Sequence, residues 1–325
     1  MSISYYKGML LNNMADATKI NYKAYYNNYI LFGANASPEP SGYEAQYMTM
    51  IAKSSGTFNF SGSTTTNTIS YSTDSGTTWS TPSRIVSINV SANDEVMWKG
   101  TLVPTEVGGV SGSCVFSAST ASFDVEGNAM SLLYGDNFKG QKDLTGKRYA
   151  LYNLFRQAKV ISAENMILPA TTLEAYCYGR IFQDCTTLTT APQLPATTIA
   201  QGCYKSLFEG CSSLVNVSTE LPGTTIFHQS YHNMFLRCTK ITTAPTILAT
   251  SFDTSGTGTE HCNAMFYGCS SLNYIKVAFE SVPNIQYLNV WTNAVSSNGT
   301  FVKKSTLTLP RGTNGIPNNW IIIDE

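Results

Sequence analysis

The expected fold is mainly β: a small Ig-like β-sandwich, then a leucine-rich-repeat solenoid with a C-terminal cap. Three observations predict it. A Phe-x-x-Cys-x-x-Leu signature recurs at near-constant spacing through residues 151–277. Short apolar runs separated by Ser, Gly, Asn and Asp fill residues 51–135. The recurring pattern stops after Lys276, where an open stack of repeats needs covering.

Taken in order, residues 1–50 are Tyr- and Asn-rich, as in Asn21–Gly33, and lead into a turn-rich break at Ala36–Gly42. An extended anchoring arm and a first β-hairpin both fit this composition. Residues 51–140 read as the β-sandwich. Phe58 and Phe60, Ile69 and Tyr71, Ile85-Val86 with Ile88 and Val90, Val96 and Trp98, Val115-Phe116, and Phe123 with Val125 fall in short runs at strand spacing. Within them Ser72-Thr73-Asp74-Ser75-Gly76-Thr77-Thr78-Trp79 resembles an Asp-box. The aspartate can bond turn amides, Gly76 can take positive φ, and Trp79 can pack beneath. A single copy is expected to be a structural turn, since in the sialidases that repeat it the box lies away from the chemistry.

Residues 141–277 hold the repeats. Phe155, Phe182, Phe208, Phe235 and Phe266 each stand three residues before Ala158, Cys185, Cys211, Cys238 or Cys269, and six before Ile161, Leu188, Leu214, Ile241 or Leu272. A second block keeps register with them: Leu168-Pro169-Ala170-Thr171-Thr172, Leu194-Pro195-Ala196-Thr197-Thr198 and Leu221-Pro222-Gly223-Thr224-Thr225. Such a period lies in the leucine-rich-repeat range. One coil cannot bury its own apolar face, so Phe and Leu are expected to point inward and stack coil on coil. The Phe–Cys–Leu spacing suggests a short helical turn feeding a strand. Proline presets the corner, and the Thr pair can satisfy local backbone groups. Residues 278–325 are expected to be the cap, with Trp320–Ile323 as a closing strand.

Seven of the eight cysteines fall in the repeats, and no Cys-x-x-Cys pair occurs. Cys185, Cys211, Cys238 and Cys269 form a column that could serve metal or disulfide chemistry, or could fill a narrow corner. Packing is preferred, because Ala158 takes the same place in the first unit. Cys177 and Cys203 align with each other, and with Ser230 and His261 in later units. The fourth unit departs from the others by an insertion, and Asp253, Thr254, Ser255, Thr257 and Thr259 form the candidate binding loop. A tolerated excursion without function is the competing reading.

Composition narrows the function. Charged residues are only 13%, the net charge is −1, and no basic run is longer than a pair such as Lys303-Lys304. A nucleic-acid partner is not expected. No stretch approaches the ~18 apolar residues of a membrane span, and the first residues lack the pattern of a secretory signal. No cofactor or metal is expected. His228 and His232, four apart, lack the Glu of a zincin helix, and with His261 they read as exposed loop histidines. The run Gly108–Ser113 lacks the spacing of a nucleophile elbow. Nothing supplies nucleophile, base and orienter together, so no enzyme is expected.

The unit Cys203-Tyr204-Lys205-Ser206-Leu207-Phe208-Glu209-Gly210-Cys211-Ser212-Ser213-Leu214 resembles the BspA-like leucine-rich surface repeats of Bacteroidales and of phages that infect them. The resemblance extends upstream through Met130–Phe138, downstream to Asn314–Pro317, and covers roughly residues 55–325. It implies surface display or adhesion without catalysis. With no visible export signal, the expectation is a virion head fibre, tail fibre or capsid decoration, assembled in the host cytoplasm. Other virion proteins would be partners through the N-terminal arm. Host-surface glycan or protein would be bound by the repeats, and the chain would be a homo-oligomer. A bacterial cell-surface adhesin with a different start, and a spacer that binds nothing, are the alternatives.

Overall fold

The computed structural model describes residues 42–62, 68–82, 85–102, 115–116 and 118–325, together with the backbone of 5–6 and 9–10. The Gly108–Ser113 run and Cys114 lie outside the described residues, as does most of the expected N-terminal arm. The fold is mainly β. The chain divides into two units, Met1–Ser41 and Gly42–Glu325. In the first, β1 (Tyr5–Tyr6) and β2 (Met9–Leu10) pair antiparallel.

In the second unit, short apolar runs build β3 (Met48–Ala52), β4 (Gly56–Ser61), β5 (Ile69–Ser72), β6 (Ile85–Val90), β7 (Glu95–Gly100) and β8 (Phe123–Asn128), with inward apolar and outward polar residues alternating most clearly in β4 and β7. Strand β9 (Val160–Ile167) follows from the first repeat. A five-stranded sheet runs β5-β7-β3-β8-β9, and β4 and β6 form a separate antiparallel pair. Aromatic rings join the two: Phe58 of β4 meets Phe123 of β8 at 5.3 Å, and Phe60 meets Trp98 of β7 at 6.4 Å. Each buried ring contributes about 2–3 kcal/mol.

The β8–β9 pairing is parallel, so the repeats cover an edge of the first sheet. One continuous core results, from Met48 to Trp320. The boundary expected at 50/51 falls inside β3, and no break in the core falls at 140/141.

The stretch before each cysteine is not the short helical turn its spacing suggested. Its amides alternate between two kinds of partner. Tyr176, Tyr178, Arg180, Phe182 and Asp184 donate to the carbonyls of Gln201, Cys203, Lys205, Leu207 and Glu209 in the next coil, at 2.7–3.1 Å. Between them, Cys177, Gly179, Gln183 and Cys185 donate three residues back. Every fourth residue takes positive φ, as at Tyr176 (59°), Arg180 (57°) and Asp184 (60°). A helix is impossible with such angles. The resulting ribbon of turns sends two side chains in and two out. Cys177 and Tyr178, then Ile181 and Phe182, are buried, while Arg180 and Asp184 lie at the surface between and beyond them.

The phenylalanines stack through successive coils with centroids 5.8, 5.7, 5.5 and 5.7 Å apart and planes within 20°. Phe116 extends the column at its start, 5.6 Å from Phe155. The thiols are hydrogen-bonded as well as packed. Sγ of Cys185, Cys211, Cys238 and Cys269 donates to the carbonyl of Phe155, Phe182, Phe208 and Phe235 respectively, each at 3.0 Å. Ala158 stands in the first coil, with no earlier repeat phenylalanine to bond.

Strands β10 (Glu220–Leu221), β11 (Thr225–Ile226), β12 (Thr246–Ile247) and β13 (Ser251–Phe252) mark further corners, with β10 parallel to β12 and β11 to β13. The amides of the Thr pairs bond to the preceding coil: Thr197 and Thr198 donate to Thr171 O, and Thr224 donates to Thr197 O. Strands β14 (Tyr274–Lys276), β15 (Thr300–Lys303) and β16 (Ile321–Asp324) form a parallel sheet, so the expected closing strand is present.

Backbone repetition continues past Lys276, where the signature ends. Ala264, Phe266 and Gly268 donate to Asn289, Trp291 and Asn293, and positive φ recurs at Val290 and Ala294. Thr292 occupies the phenylalanine place and Val295 the cysteine place, which hides this sixth coil from the pattern.

Candidate recognition face

The outward pairs of the ribbon form one continuous face. Tyr149 and Tyr176, from adjacent coils, stack at 5.0 Å with planes 10° apart, and Tyr152 meets Tyr149 edge-on at 5.3 Å. Arg148 lies over both stacked rings at 5.2 and 5.7 Å, and Arg180 lies 5.7 Å from the Tyr152 ring. All three tyrosines are half-buried. The rings of Tyr152 and Tyr176 lie where the next coil carries glycine: a Cβ on Gly179 would sit 2.7 Å from Tyr152, and one on Gly202 would sit 2.2 Å from Tyr176. Small residues in one coil thus let the aromatics of the preceding coil lie flat.

Beyond Gly202 the face turns polar. Gln201 Nε2 donates to the Tyr176 hydroxyl at 3.0 Å, and that hydroxyl donates to Gln229 Oε1 at 3.2 Å. Lys205 Nζ donates to the same oxygen at 3.0 Å. Gln229 Nε2 donates to the Glu260 carboxylate, and His232 Nδ1 lies 3.7 Å from it. Burial, then the Arg180 charge, pulls the Lys205 pKa down. Burial and Lys205 together lower His232 to about 4, against the opposing pull of Glu260. The Gln229 bond is the main cause of Glu260's lowered pKa.

The insertion lies at the end of this face. Asp253 donates its amide to Ile226 O, and its carboxylate accepts from the amide and hydroxyl of Ser255 at 3.1 and 3.0 Å. Thr254, Ser255, Thr257 and Thr259 are exposed, and Asp253 is half-buried. Phe252 anchors the loop between Phe279 and Tyr287 at 4.9 and 5.6 Å. A Cβ on Gly258 would lie 2.1 Å from His228 Nδ1, so glycine is required there as well.

The histidines are not the exposed residues expected. His228 and His232 are half-buried and His261 is 1% exposed, because the insertion folds back over them. Among the described residues no group of three or more His, Cys, Asp or Glu could hold a metal ion. The seven described cysteines are all buried and free. Burial pushes Cys203 and Cys269 up to about 12 and the others of the set upward, so they remain thiols and can donate. No helix among the described residues is long and apolar enough to cross a membrane.

The Asp-box segment is a turn built around its carboxylate. Asp74 accepts from Ser72 Oγ, Thr78 N and Thr78 Oγ1 at 2.6, 2.9 and 2.6 Å, which lowers its pKa to about 2. Trp79 donates Nε1 to Gly76 O at 3.1 Å and carries Lys99 over its ring at 4.2 Å. Lys99 in turn pairs with Asp136 at 2.7 Å.

The loop was legible in the sequence, whereas Arg148, Tyr149, Tyr152, Tyr176, Gln201, Lys205, Gln229 and Glu260 were not. Their shared signal is position in the two-in, two-out register, six or seven residues and three residues before each phenylalanine. Comparison with protein-family models, with curated proteins and with solved structures finds no match to this chain.

Proposed function

We propose that this chain is a virion structural protein, a head or tail fibre or a capsid decoration. In this reading its coils form a leucine-rich-type solenoid behind a small Ig-like sandwich and present a face that binds host-surface glycan or protein. One observation carries the reading: a half-buried ladder of Tyr149, Tyr152 and Tyr176 on a stack of coils, bordered by amide and charged groups and ending at an insertion loop. Flat aromatic rings give apolar area for sugar C–H faces or for apolar side chains, and the adjacent amides and hydroxyls exchange hydrogen bonds with polar groups. Side chains already locked by stacking and hydrogen bonding lose little entropy on binding. The separate unit at Met1–Ser41 is compatible with a mounting segment for other virion proteins and for further copies of the chain.

The test is binding of the purified chain to a glycan array and to intact host cells, with Tyr149→Ala and Tyr176→Ala measured beside the parent. The expected result is at least a tenfold loss of affinity in the double variant with the fold retained. Binding unchanged in that variant would remove the face from the account. Absence of any binding would favour a spacer, and recovery of the protein on intact cells rather than on particles would favour a bacterial surface adhesin.

A further inference from the structure

We propose that His261 is a pH-sensitive clasp on the 253–259 loop: its neutral ring holds the loop closed, and protonation of the ring opens it. The inference concerns the loop's conformation and stands whether or not the loop binds a receptor.

His261 ends the insertion, and its Nε2 lies 2.9 Å from the carbonyl oxygen of Asp253, where the insertion begins. A carbonyl can only accept, so Nε2 carries the proton and Nδ1 of the neutral ring does not. The ring is packed among aromatics. Tyr287 lies 3.8 Å from its centroid, Phe252 5.9 Å and His228 6.1 Å, the first from the following coil and the last from the preceding one. Nδ1 is buried and meets no hydrogen-bond partner among the described residues. A second proton would therefore create a buried cation and a donor without an acceptor, both costly.

The surrounding charges do not offset that cost. The Asp253 carboxylate is engaged by Ser255, and Glu260 is engaged by Gln229 beside Lys205 and His232. The hydrogen bond to Asp253 and its carboxylate pull the ring towards the charged form, but burial outweighs them and the neighbouring His228 opposes them. Burial, as the leading cause, depresses the His261 pKa in the closed loop. In an open loop the ring regains an ordinary imidazole pKa. The open form thus binds the proton more readily, and opening is favoured as pH falls below about 6.5. All three histidines of the chain meet this insertion: His228 at Gly258, His232 at Glu260 and His261 at Asp253.

The test is amide hydrogen exchange on the full chain at pH 7.5 and 5.0, normalised for intrinsic rates. Peptides over 253–261 are compared with peptides over 203–214 in the cysteine ladder. Exchange in the loop is expected to rise by up to about 30-fold at pH 5.0, the ratio set by the distance from an ordinary imidazole pKa, while the ladder stays protected. His261→Gln keeps a donor for Asp253 and cannot be protonated, so its loop should lose the response. His228→Gln and His232→Gln should each keep it. An unchanged loop, an equal rise in the ladder, or a response undiminished by His261→Gln overturns the proposal. If His261→Gln fails to fold, nitrogen-detected titration of the wild-type ring decides: a pKa at or above about 6.5 overturns it, and a lower one supports it.

Discussion

At the scale of single residues, the cysteine column acts through its S–H groups. Each thiol donates to a phenylalanine carbonyl of the preceding coil, and the same carbonyls of Phe182, Phe208 and Phe235 accept an amide proton within their own coil. Cys211→Ala removes one such bond and opens a small gap, so a loss of about 1–2 kcal/mol is expected in denaturant unfolding. The buried thiols should resist a thiol reagent until the chain unfolds, since burial keeps them protonated. Histidine sets a pH dependence as well. His232 has its folded pKa lowered to about 4, so the unfolded chain binds the proton first. Stability should fall as pH drops from about 6.5 towards 4 and flatten below that, with Glu260 protonation adding to the loss at the acid end. His232→Gln should reduce this slope, as measured by unfolding midpoints across pH.

Each coil's ribbon of turns carries a second set of consequences. Its register requires positive φ every fourth residue, at Tyr176, Gly202 and Gln229 in one column and at Asp184, Gly210, Arg237 and Gly268 in another. Gly202→Ala meets both the backbone constraint and the Tyr176 ring, so a loss of about 2 kcal/mol or more is expected in thermal unfolding. Arg237→Gly relieves the constraint at a surface position, and a change within about 1 kcal/mol of the parent is expected, in either direction. The inward positions of this element were legible from its sequence, because Phe, Cys and Leu repeat with little change. The backbone was not, because two-in, two-out has neither the period of a helix nor that of a strand. The recognition face was equally hidden. Its main column holds tyrosine only at Tyr149 and Tyr176 and then passes to Gly202 and Gln229, so no residue type persists along it.

For the whole molecule, continuity of the core matters most. Strand β9 completes the first sheet, Phe116 begins the phenylalanine column, and Trp291 and Trp320 close the far end. The alternating strand runs had marked this region as β, but the parallel β8–β9 junction leaves no trace in local composition. A single cooperative transition is expected for residues 42–325, with tryptophan fluorescence and far-ultraviolet circular dichroism of the parent chain giving the same midpoint. Separate midpoints would mean that the sheet and the coils unfold independently. The insertion loop was visible as a lengthened unit, whereas its closure over the three histidines depends on contacts made across coils. Electron cryo-microscopy and mass spectrometry of purified particles would decide whether these coils are displayed on a virus particle, as proposed. The expected result is the chain among the particle proteins, with density for its coil stack on the particle surface. Particles that lack the chain would contradict it.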